Sequence, residues 1–411
     1  NSTLELYGSF SSDKIFPELI DQEIILGISS KSKEITLSGC HMTKTGGATL
    51  VYGKESGKST ISYIISFIFI GLHVSSVDEL KFNKISSRIY NFDEWVGISG
   101  FDRSKPDIDK FKNHEYSIDY KLPKNVKFEI DKNLSGEFVF HVKIPGLSIF
   151  QKDQKIEQNI SLDISSKDGL NFWELIKQTI KFQNFLLLAL YKSTFSESII
   201  LTGENHKDIF RDGKEYKKKV ELYYQLSEPH NVEKPKSFRE MIFSYRQIES
   251  NFTTIIQNWY SKYELLEPAF NLLFDQFYQS KRFNENSFLN LAQSAETFHA
   301  RIHNHAKLPK KEYKLMKEEI LKSSDSKYHK WLKEQFNFGN NLNLHQRLKE
   351  LTERYSNEII DKIEIYSTLG QIVLKKNNNF KNINLSHLKS GLYMMKIYVD
   401  KSVATKKIIV K

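Results

Sequence analysis

The chain has 411 residues, long enough for two or three domains, and a hydrophobic fraction of 39% with 29 Phe and 20 Tyr excludes global disorder. Net charge is +10, and only nine of the basic residues are arginine, so the excess permits an anionic partner without pointing to one. The single cysteine, Cys40, excludes a disulfide framework and a four-cysteine zinc site within one chain and fits a reducing compartment.

The chain begins at Asn1 with no methionine and no basic-then-apolar leader, which reads as a fragment or a processed form. Residues 1–165 read as β. "LSGCHMTKTGG" (Leu37–Gly47) gives turns. "GKESGKST" (Gly53–Thr60) approaches a phosphate loop, but that loop needs four residues between its glycines and a helix after its lysine. Three residues separate Gly53 from Gly57 and strands flank both sides, so a polar β-turn is expected. "ISYIISFIFIGLHV" (Ile61–Val74) is too short to span a bilayer and reads as one or two buried strands. "FDEWVGISGF" (Phe92–Phe101) gives turns and a buried Trp95.

Alternation then marks two strands. Val126, Phe128 and Ile130 share one face of "VKFEI", and Phe138, Phe140, Val142 and Ile144 one face of "GEFVFHVKI". A helix follows in "NFWELIKQTIKFQNFLLLALYKS", capped by Asn171 with Glu174 three residues on. "ESIILTG" and "KKKVELYYQL" read as further strands. "EPHNVEKPKS" (Glu228–Ser237) reads as a linker. Beyond it the period becomes helical, as at Ile248, Phe252, Ile255, Ile256 and Trp259, and again at Phe288, Leu291, Ala292, Ala295, His299 and Ile302. Residues 237–355 therefore read as a bundle of about five helices. From Lys362 the alternation returns.

"HARIHNH" sets His299 and His303 one helical turn apart with His305 nearby, a spacing that can hold zinc. No acidic residue lies between them, so packing or surface histidines are the expectation and no metal or other cofactor is implied. No Gly-x-Ser-x-Gly elbow or paired-carboxylate signature stands out.

"LYGSF" (Leu6–Phe10), "FIGLHVSSVDELKF" (Phe69–Phe82) and "DEWVGISGF" (Asp93–Phe101) resemble the β-rich N-terminal domain of ApeA-like anti-phage proteins. "FLNLAQSAETFHARIHN" (Phe288–Asn304) resembles a helix of that family's HEPN domain. Gln293, Glu296, His299 and Arg301 match, and Ala300 stands where the family has arginine. "NLNLHQRLKELTERY" (Asn341–Tyr355) resembles the next stretch. The resemblance implies a cytoplasmic abortive-infection protein that senses a phage-derived trigger, dimerises through its helical bundle and cuts RNA, tRNA or mRNA. In such nucleases an Arg-x-x-x-x-His pair does the chemistry: the histidine moves protons at the ribose hydroxyl and leaving oxygen, and the arginine stabilises charge on phosphorus. Five positions after each arginine of this chain lie Asp93, Ile108, Tyr216, Ser244, Asn251, Ser287, Ala306, Thr352 and Ile359, and none is histidine. The local candidates are His299, Arg301 and His303, but their spacing and helix are not those of the motif.

"IYSTLGQ" (Ile365–Gln371), "INLSHLKSGLYMMKI" (Ile383–Ile397) and a lysine-rich closing strand resemble the end of a type IX secretion C-terminal sorting domain. That resemblance implies a small β-sandwich read by outer-membrane secretion machinery. The usual Tyr-Pro-Asn-Pro opening is missing, so Thr352–Lys376 reads as a seam between two shortened modules, leaving strand edges open to pairing with another copy.

The expectation is thus an α+β multidomain chain: a β-rich domain over 1–230, a truncated HEPN-like bundle over 237–355 and a short β-sandwich fragment over 362–411. It is an ApeA-like defence protein lacking Arg-x4-His, without a transmembrane segment. Two alternatives compete with it. One is a secreted or surface binding protein exported by type IX secretion. The other is a ligand-binding β-domain with an exposed aromatic platform including Trp95.

Overall fold

A computed structural model describes residues 3–7, 21–46, 60–78, 80–102, 112, 118–146, 155–209, 213–224, 234–235, 237–278, 285–303, 305–359, 361–377, 380, 383–399 and 402–410. Gly53–Lys58 and most of the expected linker Glu228–Ser237 lie outside these residues. The chain divides into two compact units, one of Asn1–Tyr263 with Phe277–Ser280 and one of Glu264–Gln276 with Lys281–Lys411.

The first unit is built on an antiparallel ten-stranded sheet. Its strands are β1 (Thr3–Tyr7), β2 (Gln22–Ile28), β3 (Glu34–Gly46), β4 (Thr60–Ile70), β5 (Lys81–Ile89), β6 (Val126–Glu129), β7 (Leu134–Lys143), β8 (Glu157–Asn171), β9 (Ser196–Thr202) and β12 (Val220–Tyr224), and a separate ribbon pairs β10 (Lys207–Ile209) with β11 (Glu215–Lys217). The order is β2-β3-β4-β12-β9-β5-β8-β7-β6, and β1 pairs with Thr60–Ile64 of β4 while β12 takes Phe67–Ile70. The apolar run at Ile61 is therefore one strand, followed by a loop. In β7, Phe138 and Phe140 are buried as the alternation predicts, but Ile144 lies past the strand end and is exposed. Gly136 lets the Phe128 ring cross the strand: a Cβ there would lie 2.2 Å from that ring.

Two helices of this unit bury their apolar faces against the sheet. Helix α1 (Phe92–Val96) presents Trp95, which is fully buried. Helix α2 (Phe172–Leu190) starts where the Asn171 side chain accepts from the Trp173 N–H at 2.9 Å. Glu174 pairs with Lys177 at 2.7 Å instead of completing a capping box. Trp95 meets Phe138, Phe182, Phe185 and Tyr245 edge-on and donates its indole N–H to the Phe243 carbonyl at 3.1 Å. Trp95 belongs to the core and so takes no part in an exposed aromatic platform. Helical residues beyond 237 join the same core: α3 (Tyr245–Ile248) supplies Tyr245, and α4 (Phe252–Tyr278) supplies Phe252, Ile256 and Tyr260.

In the second unit, α4 contributes Leu266, Ala269, Phe270 and Phe274 as buried residues. Then come α5 (Glu285–Ile302), α6 (Lys310–Ser323), α7 (His329–Phe336) and α8 (Leu344–Ile359). The chain's last described element is a four-stranded antiparallel sheet in the order β14 (Ile372–Lys376), β13 (Lys362–Ser367), β15 (Gly391–Val399), β16 (Ser402–Val410). Ile363, Ile365 and Phe380 are its buried core, and Ile383, Leu385 and Leu388 of the connector pack with them. The β module expected from alternation is thus a single sheet with the connector packed on its Ile363/Ile365 face. Mixed α+β architecture holds throughout.

Candidate functional site

Helices α5 and α8 pack side by side. On α8, residues 347, 350/351 and 354 recur at three- and four-residue spacing and so share a face. That face brings Arg347, Glu350 and Arg354 against the histidines at the end of α5.

His299 lies at the centre, with its side chain 1% exposed. Its Nε2 is 2.8 Å from Glu350 Oε2 and its Nδ1 is 3.2 Å from Arg347 Nη1. A guanidinium can only donate, so Nδ1 accepts and Nε2 carries the proton donated to Glu350. One neutral tautomer of His299 is thereby fixed. Arg347 is held in turn by the Leu342 carbonyl at 3.0 Å and by Glu296 at 3.6 Å.

The other two histidines face different partners. His305 Nδ1 lies 2.9 Å from the His303 carbonyl oxygen and its Nε2 lies 3.1 Å from Glu350 Oε1. Both contacts are to acceptors, so both nitrogens donate and the ring is cationic. The His303 carbonyl, and after it the Glu350 carboxylate, raise the His305 pKa. Glu350 is held below the usual carboxylate range, first by the His299 hydrogen bond and then by His305. His303 goes the other way: desolvation, then the adjacent Arg354 charge, lowers its pKa and favours the neutral ring. Its Nδ1 accepts from Arg354 Nη1, and Tyr355 Oη is 3.5 Å from its Nε2.

Of the residues singled out from sequence, His299, His303 and His305 come together, and Arg301 does not join them. Its guanidinium donates to the Leu265 carbonyl of α4 at 2.9 Å. The arginines beside the histidines are Arg347 and Arg354, which sequence reasoning missed along with Glu350. The signal was the i, i+3, i+7 recurrence of charge on α8.

The ligand atoms of His299, His305 and Glu350 lie within 4.8 Å of one another, the arrangement nearest to a metal site among the described residues. A ligating histidine needs its second nitrogen protonated and aimed at an acceptor. His305 meets that requirement. His299 does not, because its second nitrogen faces the Arg347 guanidinium, whose charge also opposes a cation nearby. The group is better suited to an ion-pair network than to a metal. His299 has no free nitrogen and no solvent access. His303 is half-buried beside an exposed arginine, from which its Nδ1 accepts.

Comparison with known proteins matches residues 1–259 to the family model for ApeA N-terminal domain 1 and residues 289–384 to that for the Apea-like HEPN domain. The second match takes in most of α5, all of α6–α8 and strands β13 and β14. No curated protein and no solved structure matches the chain. No helix among the described residues is long and apolar enough to cross a membrane. The first match alone spans more than half of the chain, which belongs to the ApeA family of anti-phage proteins, with an ApeA N-terminal domain 1 followed by an Apea-like HEPN domain.

Proposed function

We propose that this chain acts in the cytoplasm as a phage-triggered defence protein that binds RNA on the α5–α8 face without cutting it, as a homodimer through its helical bundle. The observation that carries this reading is the state of His299. The buried histidine that pairs with an arginine has both nitrogens committed and meets no solvent, so it is not available for acid–base work. Beside it Arg354 is exposed and gives Nη1 to His303, and the rest of its guanidinium can face phosphate, whereas both His305 nitrogens are held by the His303 carbonyl and Glu350. No Arg-x4-His occurs in the sequence to supply another pair.

The test is incubation of purified protein with tRNA and mRNA, read on a native gel for retention and a denaturing gel for fragments. Retention that Arg354→Ala weakens, with intact RNA, agrees with binding alone. Unretained RNA overturns it.

One observation favours a second reading, in which the domain does cleave. Neutral His303 lies beside Arg354 across two helices, and a phosphate that drew the Arg354 guanidinium away would free the His303 Nδ1 lone pair it now occupies to act as general base. Fragments that disappear in both His303→Ala and Arg354→Ala would establish it. The type IX resemblance of residues 362–411 supports a third reading, export to the cell surface. Recovery of the chain from the medium, lost when those residues are deleted, is the outcome that would favour it.

A further inference from the structure

We propose that α7 and the turn after it form a stacking platform for single-stranded RNA, separate from the α5–α8 cluster. This inference rests on the RNA-binding reading above. Tyr328, Trp331 and Phe338 are 53%, 59% and 76% exposed, three large aromatic side chains within eleven residues of chain. Lys327, Lys330 and Lys333 interleave with them, against one glutamate, Glu334, over the span Ser326–Phe338.

The local packing explains why these rings face outward. Phe336, together with His329 and Leu332, forms the inward face of α7. Its ring lies 6.4 Å from that of Tyr313 on α6, and the Tyr313 hydroxyl donates to the Phe336 carbonyl at 2.9 Å. Gly339 allows this closeness, since a Cβ there would lie 2.5 Å from the Tyr313 hydroxyl. At about 100° per residue, Trp331 points roughly 140° away from Phe336. Asn337 keeps helical angles (φ −60°, ψ −36°), so Phe338 continues the pattern, two turns beyond Trp331 and on its side. The three rings then spread over about 15 Å along the axis, room for two or three unpaired bases.

Charge decides between the occupants such a face could take. Lys327 Nζ lies 4.8 Å from the Tyr328 ring centre, while the same ammonium is 3.2 Å from Asp325. Among the described residues Lys330 and Lys333 have no ion-pair partner. Aromatic rings flanked by such lysines match the two demands of a single strand, a flat surface for the base and a cation for the phosphate. A second copy of the chain would bring the same lysines against themselves. An RNA duplex buries its base faces and offers nothing to stack.

The test is fluorescence anisotropy with a labelled oligouridine and a labelled RNA duplex on the full chain. Trp331→Ala is expected to weaken oligouridine binding about tenfold, with little change for the duplex, and Trp331→Phe to restore most of it. Replacing Lys330 and Lys333 with Gln is expected to reduce the salt dependence of binding. Unchanged oligouridine affinity in Trp331→Ala overturns the platform. So does loss of self-association by light scattering with RNA affinity intact, which would make the patch a contact between copies. If Arg354→Ala weakens binding and Trp331→Ala does not, the platform fails and the α5–α8 reading stands. The reverse result removes the α5–α8 reading and keeps the platform, and no binding by the native chain removes both.

Discussion

Replacing His299 by Ala tests whether the α5–α8 pairing is built as described. The substitution removes a buried imidazole and two hydrogen bonds, to Glu350 and to Arg347. Hydrogen bonds to charged groups contribute about 1.5–3 kcal/mol each. The lower end applies here, because neither partner is orphaned: Glu350 keeps His305, and Arg347 keeps the Leu342 carbonyl and Glu296. The two lost bonds share one ring, so they do not add fully. With the cavity left by the ring, the cost comes to about 3 kcal/mol. For a unit of this size that lowers the melting midpoint by about 6–12 °C. Circular dichroism melts of the full chain supply the measurement, with His303→Ala as the comparison. His303 is half-buried at the helix end, and its loss is expected to cost under about 1 kcal/mol. A His299→Ala melt that overlays the native one, or a larger loss in His303→Ala, would refute the assignment of His299 as the buckle between the helices.

The same cluster gives a pH prediction with a definite sign. His305 has a raised folded pKa, so its contribution is complete below its unfolded value near 6.5 and fades as pH rises through the folded one. Glu350 has a lowered folded pKa, so its contribution is present above its unfolded value near 4.5 and fades as pH falls through the folded one. His303 acts the other way, since its lowered folded pKa makes its contribution present above about 6.5 and fading as pH falls. In a His303→Ala chain, protection of α5 and α8 from amide exchange, relative to the intrinsic rate, should therefore be greatest between about pH 4.5 and 6.5, and Glu350→Gln should flatten that dependence. In the terminal sheet Glu364 is held down to about 2 by hydrogen bonds from Tyr398 and Tyr366 and by Lys362. Protection of strand β13 should fall progressively between about pH 4.5 and 2, and Glu364→Gln should leave it independent of pH over that range, as an acid-range exchange profile corrected for the intrinsic rate would show. Trp95→Ala in the first unit should cost about 4 kcal/mol in a denaturant titration, and Trp95→Phe clearly less, since only the indole hydrogen bond and part of the ring are lost. Zinc or a chelator should leave the native melting midpoint unchanged, because Arg347 holds the second nitrogen of His299 as an acceptor.

Local signals carried much of the fold. Phe138 and Phe140 on β7, the Asn171 cap of α2 and the helical period through Phe288–Ile302 each needed only residues close in sequence. Trp95 was legible as buried, but not its partners, because Phe182 and Tyr245 reach it from distant elements. Strand order was equally hidden: β4 takes β1 and β12 along one edge, and nothing in either strand's pattern says so. The composition shift near residue 237 suggested a new domain there. Yet Phe252, Ile256 and Tyr260 belong to the first unit's core, since an apolar helix face reads the same whatever it packs against.

The site shows why a motif search along one helix misses chemistry assembled across two. The histidines were visible because they sit within seven residues, from His299 to His305. Their arginines come from a helix about fifty residues later, so fixed Arg-to-His spacing carries no information about them. Proximity alone also does not separate catalyst from brace. Arg347 and His299 have the identities expected of a nuclease pair, but burial and two committed nitrogens make them a brace. Arg354 and His303 have the same identities with solvent access and a ring kept neutral. If this domain moves protons on RNA, the second pair is the one whose environment allows it. If it only holds RNA, the neutral ring adds little to the force on phosphate, and the guanidinium beside it supplies most of the attraction.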